Sequence, residues 1–127
     1  MKKLLLAIGL IGTMLLSSCT TTKVGWVGNN IGNTYRASYQ RFDGPESTRI
    51  RLRANETFTL SYEVEVDDGG LSLQILAPGG DLVWEETFLE DADSTFEFTP
   101  DTSGRYTIRI EGDQTQGRFA LNWDTNQ

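Results

Sequence analysis

The sequence predicts an all-β fold, an antiparallel two-sheet β-sandwich or jelly roll of about eight strands. From about residue 34 onward, apolar and polar residues alternate with a period of two, which is typical of strands with one buried face. Turn-forming stretches rich in glycine separate these runs, and no helical stretch lies between them. Because a single sheet would leave one apolar face in water, two sheets are expected to pack face to face.

The strands are predicted in chain order. The first, TYRASYQRF at 34–42, alternates weakly, and TRIRLR at 48–53 follows it. The longest run is TFTLSYEVEVD at 57–67. Five shorter runs complete the set: LSLQI at 71–75, DLVWEETF at 81–88, TFEF at 95–98, RYTIRIE at 105–111 and RFALNW at 118–123. The predicted core is the apolar face of these runs: Ile50, Leu52, Phe58, Leu60, Tyr62, Val64, Val66, Leu71, Leu73, Ile75, Leu82, Trp84, Phe88, Phe96, Phe98, Tyr106, Ile108, Ile110, Phe119, Leu121 and Trp123.

Four polar stretches are predicted to connect the strands. They are DDGG at 67–70, APGGD at 77–81, TPDTSG at 99–104 and EGDQTQG at 111–117. Their glycines can adopt positive φ, which tight hairpin connections require. We therefore expect a turn at each of the four.

The N-terminus contains the chain's single cysteine. Lys2 and Lys3 precede an apolar run of thirteen residues, Leu4–Leu16. A membrane-spanning helix needs about 20 residues, so this run instead suits the apolar region of a signal peptide. The sequence LSSC that ends at Cys19 resembles the lipobox of bacterial lipoproteins, in which the cysteine carries a diacylglycerol and cleavage occurs just before it. The resemblance implies a signal peptide at 1–18 and localisation in the cell envelope, lipid-anchored on the extracytoplasmic side of a bacterial membrane.

Other roles for Cys19 are less well supported. It lies in a segment without helical or strand period, which disfavours a buried structural thiol, and an intermolecular disulfide remains open. Two acyl chains hold a protein stably at a membrane, whereas one holds it marginally. Membrane lipid is therefore the first expected partner, through Cys19.

Removal of residues 1–18 would leave one domain and change its charge. Lys2 and Lys3 leave with the signal, so nine basic residues remain against 18 acidic ones and the net charge is −9. Such a chain repels phosphate backbones, so nucleic acid is not an expected partner. The β-sandwich domain is predicted at 34–127.

Residues 19–33 are predicted to form a lipidated flexible tether. This segment is rich in Thr, Gly and Asn, and its root-mean-square span would be roughly 20 Å. Trp26, Val27 and Ile31 qualify this interpretation. They would either pack onto the sandwich, which we favour, or enter the lipid interface.

The later strands resemble a known module. The order LSLQILAPGGDLVWE, FTPDTSGRYTIRIEG and QGRFALNW is similar to the bacterial pre-peptidase C-terminal domain and related jelly-roll modules. Gly104, Tyr106, Ile108 and Ile110 match the central strand of that pattern, and the resemblance covers roughly residues 50–123. It implies a jelly roll without catalytic residues. Those modules accompany an enzyme, which this chain lacks, so their role beside a protease does not transfer.

Two candidate sites lie in loops. DTSG at 101–104 is similar to the aspartic-protease motif, but a serine interrupts it, so Asp101 and Ser103 are expected to make turn bonds. The acidic loops contain weak calcium candidates, since calcium takes six to eight oxygen ligands. No closing glutamate follows them, and a solvated loop is the simpler interpretation. These candidates are Glu90, Asp91 and Asp93 in one loop and Asp67 and Asp68 in another.

A third candidate is a stripe of arginines. Arg49, Arg51 and Arg53 point outward from one strand, and Glu63 and Glu65 point outward from the next. We expect these opposite charges to pair across the strands, which contributes about 0.2–1 kcal/mol per pair. The alternative is a basic stripe that grips an acidic polymer such as a cell-wall teichoic acid.

The sequence predicts no enzyme and no cofactor. It has no histidine, no recognisable carboxylate pair and no phosphate-binding glycine loop. Trp84 and Trp123 share the parity of apolar neighbours, so they are expected in the core rather than on a sugar platform. We therefore expect a membrane-anchored lipoprotein with a non-catalytic binding or structural module whose partner is an envelope protein or a glycan. The alternative is an accessory subunit of an envelope enzyme or transporter complex.

Overall fold

The computed structural model describes residues 21–126, so the predicted signal peptide and Cys19 lie outside the described residues. Within this range the chain is all β, and it contains no helix that is long and apolar enough to cross a membrane. The strands are β1 (Thr22–Val24), β2 (Val27–Ile31), β3 (Thr34–Leu52), β4 (Thr57–Leu76), β5 (Leu82–Phe88), β6 (Ala92–Phe98) and β7 (Gly104–Asn126).

All strand pairs are antiparallel, and they form one continuous sheet in the order β1-β3-β7-β4-β5, with β2 paired to β3 and β6 paired to β4. The long strands β3, β4 and β7 run through two layers. The first layer, which we call the front layer, consists of β2, residues 34–39 of β3, 117–126 of β7, 57–66 of β4, and β6. The back layer consists of residues 44–52 of β3, 104–113 of β7, 70–76 of β4, and β5.

Aromatic contacts show that the two layers face each other. Tyr62 of the front layer lies 5.3 Å from Phe88 of the back layer, measured between ring centroids. Phe98 of the front layer lies 5.8 Å from Tyr106 of the back layer, again between ring centroids. The predicted antiparallel sandwich is therefore confirmed, and it is built by folding one sheet over on itself.

Two of the predicted turns are bends within strands. DDGG lies inside β4 and EGDQTQG lies inside β7, where register shifts interrupt the ladder. The bend of β7 pairs with both neighbouring strands. Gly112 lies opposite Gly44 of β3, and Asp113 lies opposite Gly70 of β4, so the strand pairing continues through the bend. Prediction of hairpins at these two places is wrong, because glycine permits a bend as readily as a turn. The other two stretches do connect strands: APGGD joins β4 to β5, and TPDTSG joins β6 to β7.

The predicted tether is also wrong over residues 22–31. β1 pairs with residues 41–43 of β3, and β2 pairs with residues 34–38 through a tight connection at Gly32, whose φ is +61°. These strands are held by backbone pairing and are exposed along their length, so they carry no alternating pattern that the sequence would reveal. The sheet begins at Thr22 rather than near residue 34.

Trp26, between β1 and β2, packs onto the sandwich as favoured above. Its ring stacks on Tyr39 at 5.7 Å between centroids and meets Phe42 edge-on at 5.2 Å. Val27 and Ile31 do not share this packing, since each is 72% exposed.

The core follows the predicted parity with one exception. The exception is Leu82, which is 55% exposed, because a register shift next to Ile75 pairs Leu82 with the outward-facing Leu76. Trp84 beside it still faces inward and is partly buried. The buried apolar residues are Tyr35, Ala37, Tyr39, Phe42, Ile50, Leu52, Phe58, Leu60, Tyr62, Val64, Leu71, Leu73, Ile75, Phe88, Tyr106, Ile108, Ile110, Phe119, Leu121 and Trp123.

Candidate anion-binding face

The outer face of the back layer concentrates arginines at one end. Ile50 and Leu52 of β3 point into the core, so Arg49 and Arg51 point outward. The register places Arg51 directly opposite Arg105 of β7. Arg53 is exposed one residue past the end of β3. We call Arg49, Arg51, Arg53 and Arg105 the arginine cluster.

The predicted pairing of this stripe with Glu63 and Glu65 is wrong. In the back layer β3 pairs with β7 and not with β4, so the two glutamates never face the stripe. They lie on the outer face of the front layer and bind Arg118, at 2.6 Å and 3.0 Å from its Nη2. The hydrogen bonds that Arg118 donates to Glu65 and Glu63 raise its pKa. The cluster therefore lacks the carboxylates that the sequence appeared to supply.

No carboxylate in residues 21–126 comes within 4 Å of a guanidinium of the cluster, since the ion pairs there involve Lys23, Arg109 and Arg118. Arg109 lies on the same outer face, but Glu111 binds it at 2.8 Å. Glu56, in the turn after β3, accepts the backbone N–H of Arg53 at 3.2 Å.

The arrangement puts like charges opposite each other. Arg51 and Arg105 form a directly facing cross-strand pair, and such a pair is destabilising when both residues carry the same charge. Both side chains are exposed, and guanidinium groups stay protonated in proteins. A bound anion would offset this repulsion.

A depression of about 280 Å³ adjoins the cluster. Arg49 and Arg51 form part of its lining together with Asn33, Trp123 and Thr125. Guanidinium groups bind phosphate and carboxylate oxygens with two parallel N–H donors. The chemistry of this face is therefore the binding of oxyanions.

The two outer faces of the sandwich differ in charge. Acidic side chains are frequent on the outer face of the front layer, where the cross-strand register brings them together. They are Glu63, Glu65, Asp93, Glu97 and Asp124. The arginine cluster lies on the opposite outer face, that of the back layer.

The calcium candidates do not assemble into a metal site within the described residues, where no group of three or more acidic, cysteine or histidine side chains is positioned to hold an ion. Glu90, Asp91 and Asp93 line a cleft of about 640 Å³ together with Tyr62 and Phe88. Asp91 already accepts the backbone N–H of Val66 at 2.9 Å.

The second acidic loop is also engaged locally. Asp68 accepts the backbone N–H of Gly69 at 3.0 Å, at the bend of β4. Asp67 is exposed beside it. The bond between Asp91 and Val66 brings the two loops near each other and fixes the bend.

The DTSG loop forms contacts that stabilise loops. Ser103 Oγ accepts the backbone N–H of Ala54 at 2.8 Å. Asp101 accepts the hydroxyl of Thr102 at 3.3 Å, and the Tyr106 hydroxyl donates to the Thr102 carbonyl at 2.8 Å. These contacts tie the β6–β7 loop to the turn after β3, next to the arginine cluster.

The tryptophans do not form an exposed platform. Trp123 is 7% exposed, and Trp84 is partly buried where it stacks on Phe96 at 4.6 Å between centroids. The large exposed apolar side chains in the described range are all aliphatic: Val24, Val27, Ile31, Leu82 and Leu89.

These features define an antiparallel β-sandwich with a basic outer face. The pre-peptidase C-terminal domain of a collagenase from Bacillus anthracis has a similar structure, with a TM-score of 0.53 and 14% identity over 76% of this chain and 100% of that one. A periplasmic inhibitor of g-type lysozyme from Aeromonas hydrophila, PliG, has a TM-score of 0.50 and 15% identity over 79% and 89%. A carbohydrate-binding module from Cellvibrio mixtus lichenase 5A has a TM-score of 0.46 and 18% identity over 85% of this chain and 89% of that one. At these identities the likeness shows the fold alone.

No protein-family model matches the chain, and no curated protein matches it by sequence.

The arginine cluster was only partly visible in the sequence. Arg49, Arg51 and Arg53 stand out because they alternate along one strand, but Arg105 lies 54 residues after Arg51. Only the β3–β7 register brings it to the cluster. The sequence signal that would have found it is the pattern RYTIRI, in which Arg105 and Arg109 also point outward.

Proposed function

We propose that this protein is a lipid-anchored, non-catalytic binding module of a bacterial cell envelope that takes an anionic ligand on the arginine cluster. The observation that carries the proposal is the grouping of four arginines, without carboxylate partners in the described residues, on one face of an acidic chain. An acidic protein gains nothing in solubility from such a group. The cross-strand repulsion instead favours a site that an anion completes.

A non-catalytic role agrees with the side chains available. The chain has no histidine, and the DTSG residues are engaged in loop contacts. The arginines offer donors and charge but no base or nucleophile. Their chemistry is recognition.

Lipid anchoring is supported by the order of charge, apolar run, small residues and cysteine at the N-terminus. The test is the intact mass of the membrane-extracted protein. We expect an N-terminal Cys19 that carries acyl chains, and we expect Cys19→Ala to leave the protein unanchored. A free thiol without acyl chains would refute the anchoring.

The anion site is tested by retention of the full chain on phosphocellulose. We expect salt-sensitive retention that Arg51→Gln/Arg105→Gln strongly reduces. The matched control is Arg36→Gln/Arg41→Gln, which removes the same charge from exposed positions outside the cluster. Equal retention of both double variants would show that net charge, and not the cluster, binds the resin. Circular dichroism confirms that each variant is folded.

A second candidate function is an accessory subunit of an envelope enzyme or transporter complex. The observation that favours it is β2, an edge strand without charged residues whose Val27 and Ile31 are each 72% exposed. Sheet edges usually carry charges or prolines that prevent pairing with other chains. If this function is correct, Val27→Lys/Ile31→Lys will release the protein from an envelope complex while retention on phosphocellulose persists.

A further inference from the structure

We propose that the ligand is a linear phosphodiester polymer of the cell envelope that lies along β3, at the end of the sandwich remote from the lipid anchor. The inference rests on the proposed function and adds the chemical class, the length and the location of the ligand. Three features of the arginine cluster lead to it: its linear form, its facing pair and its distance from the N-terminus.

The cluster extends along a strand. Arg49, Arg51 and Arg53 follow each other at every second residue, so at about 3.3 Å per residue they span roughly 13 Å. Arg105 lies on the neighbouring strand, about 5 Å away. A single small anion meets at most the facing pair. A chain with repeated charges meets all four arginines, and each further contact then forms at high effective concentration.

The facing pair favours phosphate over carboxylate. Arg51 and Arg105 approach the space above the sheet from two different strands. A carboxylate is planar, and one guanidinium fork occupies its two oxygens side by side. The lone pairs of a carboxylate lie in its plane, whereas the two free oxygens of a phosphodiester also accept hydrogen bonds from outside the O–P–O plane. Two guanidinium groups that approach from different strands therefore fit a phosphodiester better than a carboxylate.

The location argues against the headgroups of the anchoring membrane. Thr21, the first described residue, donates its hydroxyl to the carbonyl of Pro45 at 3.0 Å, and Cys19 precedes it by only two residues, or about 7 Å of chain. Arg51 lies six residues beyond Pro45 on β3, roughly 20 Å farther along the sandwich. With Cys19 lipidated, the Pro45 end is near the bilayer and the cluster is distal. A polymer that extends from the envelope reaches this end.

The experiment measures binding of the full acylated chain in detergent to glycerol-phosphate ligands of defined length: a monomer, a trimer and an octamer. We expect the octamer to bind at least about tenfold more tightly than the monomer, because its contacts are linked. Each of Arg49→Gln, Arg51→Gln and Arg105→Gln is expected to weaken octamer binding by about two- to fivefold, the range for exposed charge pairs. Arg36→Gln is the matched control and should change little.

Two competitors test the class of ligand. We expect an oligogalacturonate octamer, which carries carboxylates, to bind more weakly than the phosphate octamer. Equal or tighter carboxylate binding would overturn the phosphate assignment. We expect vesicles of phosphatidylglycerol and phosphatidylcholine not to compete for the site, and competition would identify lipid headgroups as the occupant instead.

Failure of the inference differs from failure of the proposed function. If phosphocellulose retention depends on the cluster but monomer and octamer bind equally, the site takes a small anion and the polymer is wrong. If neither retention on phosphocellulose nor binding of any oligomer depends on the cluster, the proposed anion site itself is wrong.

Discussion

Truncation of Trp123 tests whether the inner faces of the two layers carry the stability of this domain. Trp123 lies on β7 opposite Leu60 of β4, with its side chain 7% exposed. Its backbone N–H also donates to the Asn33 carbonyl at 3.0 Å. The variant Trp123→Ala keeps this hydrogen bond and removes only the indole.

The magnitude follows from the buried area. An aromatic side chain buries about 150–250 Å², and at about 25 cal/mol per Å² this contributes roughly 4–6 kcal/mol. A compact unfolded ensemble reduces such values by about 10–40%. We therefore expect a loss of about 3–5 kcal/mol, as is usual for truncation of a core tryptophan. Total stability of a domain is about 5–15 kcal/mol, so the loss is a large fraction of it.

The assay is urea unfolding of the full chain followed by far-UV circular dichroism, which does not depend on the removed fluorophore. The expected result is a much lower midpoint with an unchanged slope. Leu89→Ala is the control, because Leu89 is 75% exposed and its loss should cost little. A Trp123→Ala protein that unfolds at the parent midpoint would refute the core assignment. If it also lost binding to a glycan, a sugar-binding role for Trp123 would replace it.

Three further predictions concern the bend at Gly117, the pKa of Tyr35 and calcium. Gly117→Ala should destabilise clearly more than Gly32→Ala, because an added Cβ at Gly117 would lie 1.9 Å from the Glu65 carbonyl oxygen whereas Gly32 has open space; equal urea midpoints would contradict this. Burial, followed by Glu46 beside its hydroxyl, raises the pKa of Tyr35 to about 12. The unfolded state therefore loses this proton first, and stability that is complete below about pH 10 falls at higher pH by at most about 1.4 kcal/mol per pH unit. Tyr35→Phe should flatten the fall of the free energy of unfolding between about pH 10 and 12, and an unchanged slope would contradict the raised pKa. Millimolar calcium should leave the melting temperature unchanged, and a rise of several degrees that a chelator reverses would show a site in the acidic loops.

The tryptophans also show where sequence reasoning was correct and where it was incomplete. Alternation placed Trp123 and Trp84 on inner faces, as the structure confirms, because a strand's parity is a local property. It did not reveal that Trp84 lies at the sandwich edge, where partial burial predicts a smaller truncation cost. Trp26 contacts Tyr39 and Phe42. We therefore expect Trp26→Ala to lower the free energy of unfolding more than truncation of an exposed side chain does.

The connections were harder to predict than the strands. Six of the eight predicted runs join in pairs to form β3, β4 and β7. A glycine-rich stretch permits either a reversal of the chain or a bend, and the choice depends on whether neighbouring strands bend at the same level. Gly44 faces Gly112 across β3 and β7, and nothing local to either residue records that register. β1 and β2 were missed for a related reason, since pairing with β3 satisfies their backbones without any apolar pattern.

The candidate site depended on the same long-range register. The sequence identified the arginine stripe, but it assumed that the next predicted strand was the paired one and supplied Glu63 and Glu65 as partners. In the folded chain those glutamates bind Arg118, and Arg51 faces Arg105 instead. The order of strands in the sheet is not encoded locally in the sequence. For that reason ion pairs were expected where the structure has an unpaired cluster.

This result also changes what the net charge implies. A formal net charge of −7 predicts repulsion of polyanions only if the ligand experiences the whole molecule. At physiological ionic strength, the Debye length is about 8 Å, so charges across the sandwich are strongly screened from a ligand on one outer face. The acidic groups on the outer face of the front layer are separated from the arginine cluster by the thickness of two packed sheets, about 10 Å between layers. A polymer on the back layer therefore experiences mainly the charges of that outer face, where the arginine cluster and Arg109 outnumber Glu85 and Glu111. Added salt should weaken its binding steeply, whereas neutralisation of Glu63 or Glu97 on the other face should hardly strengthen it.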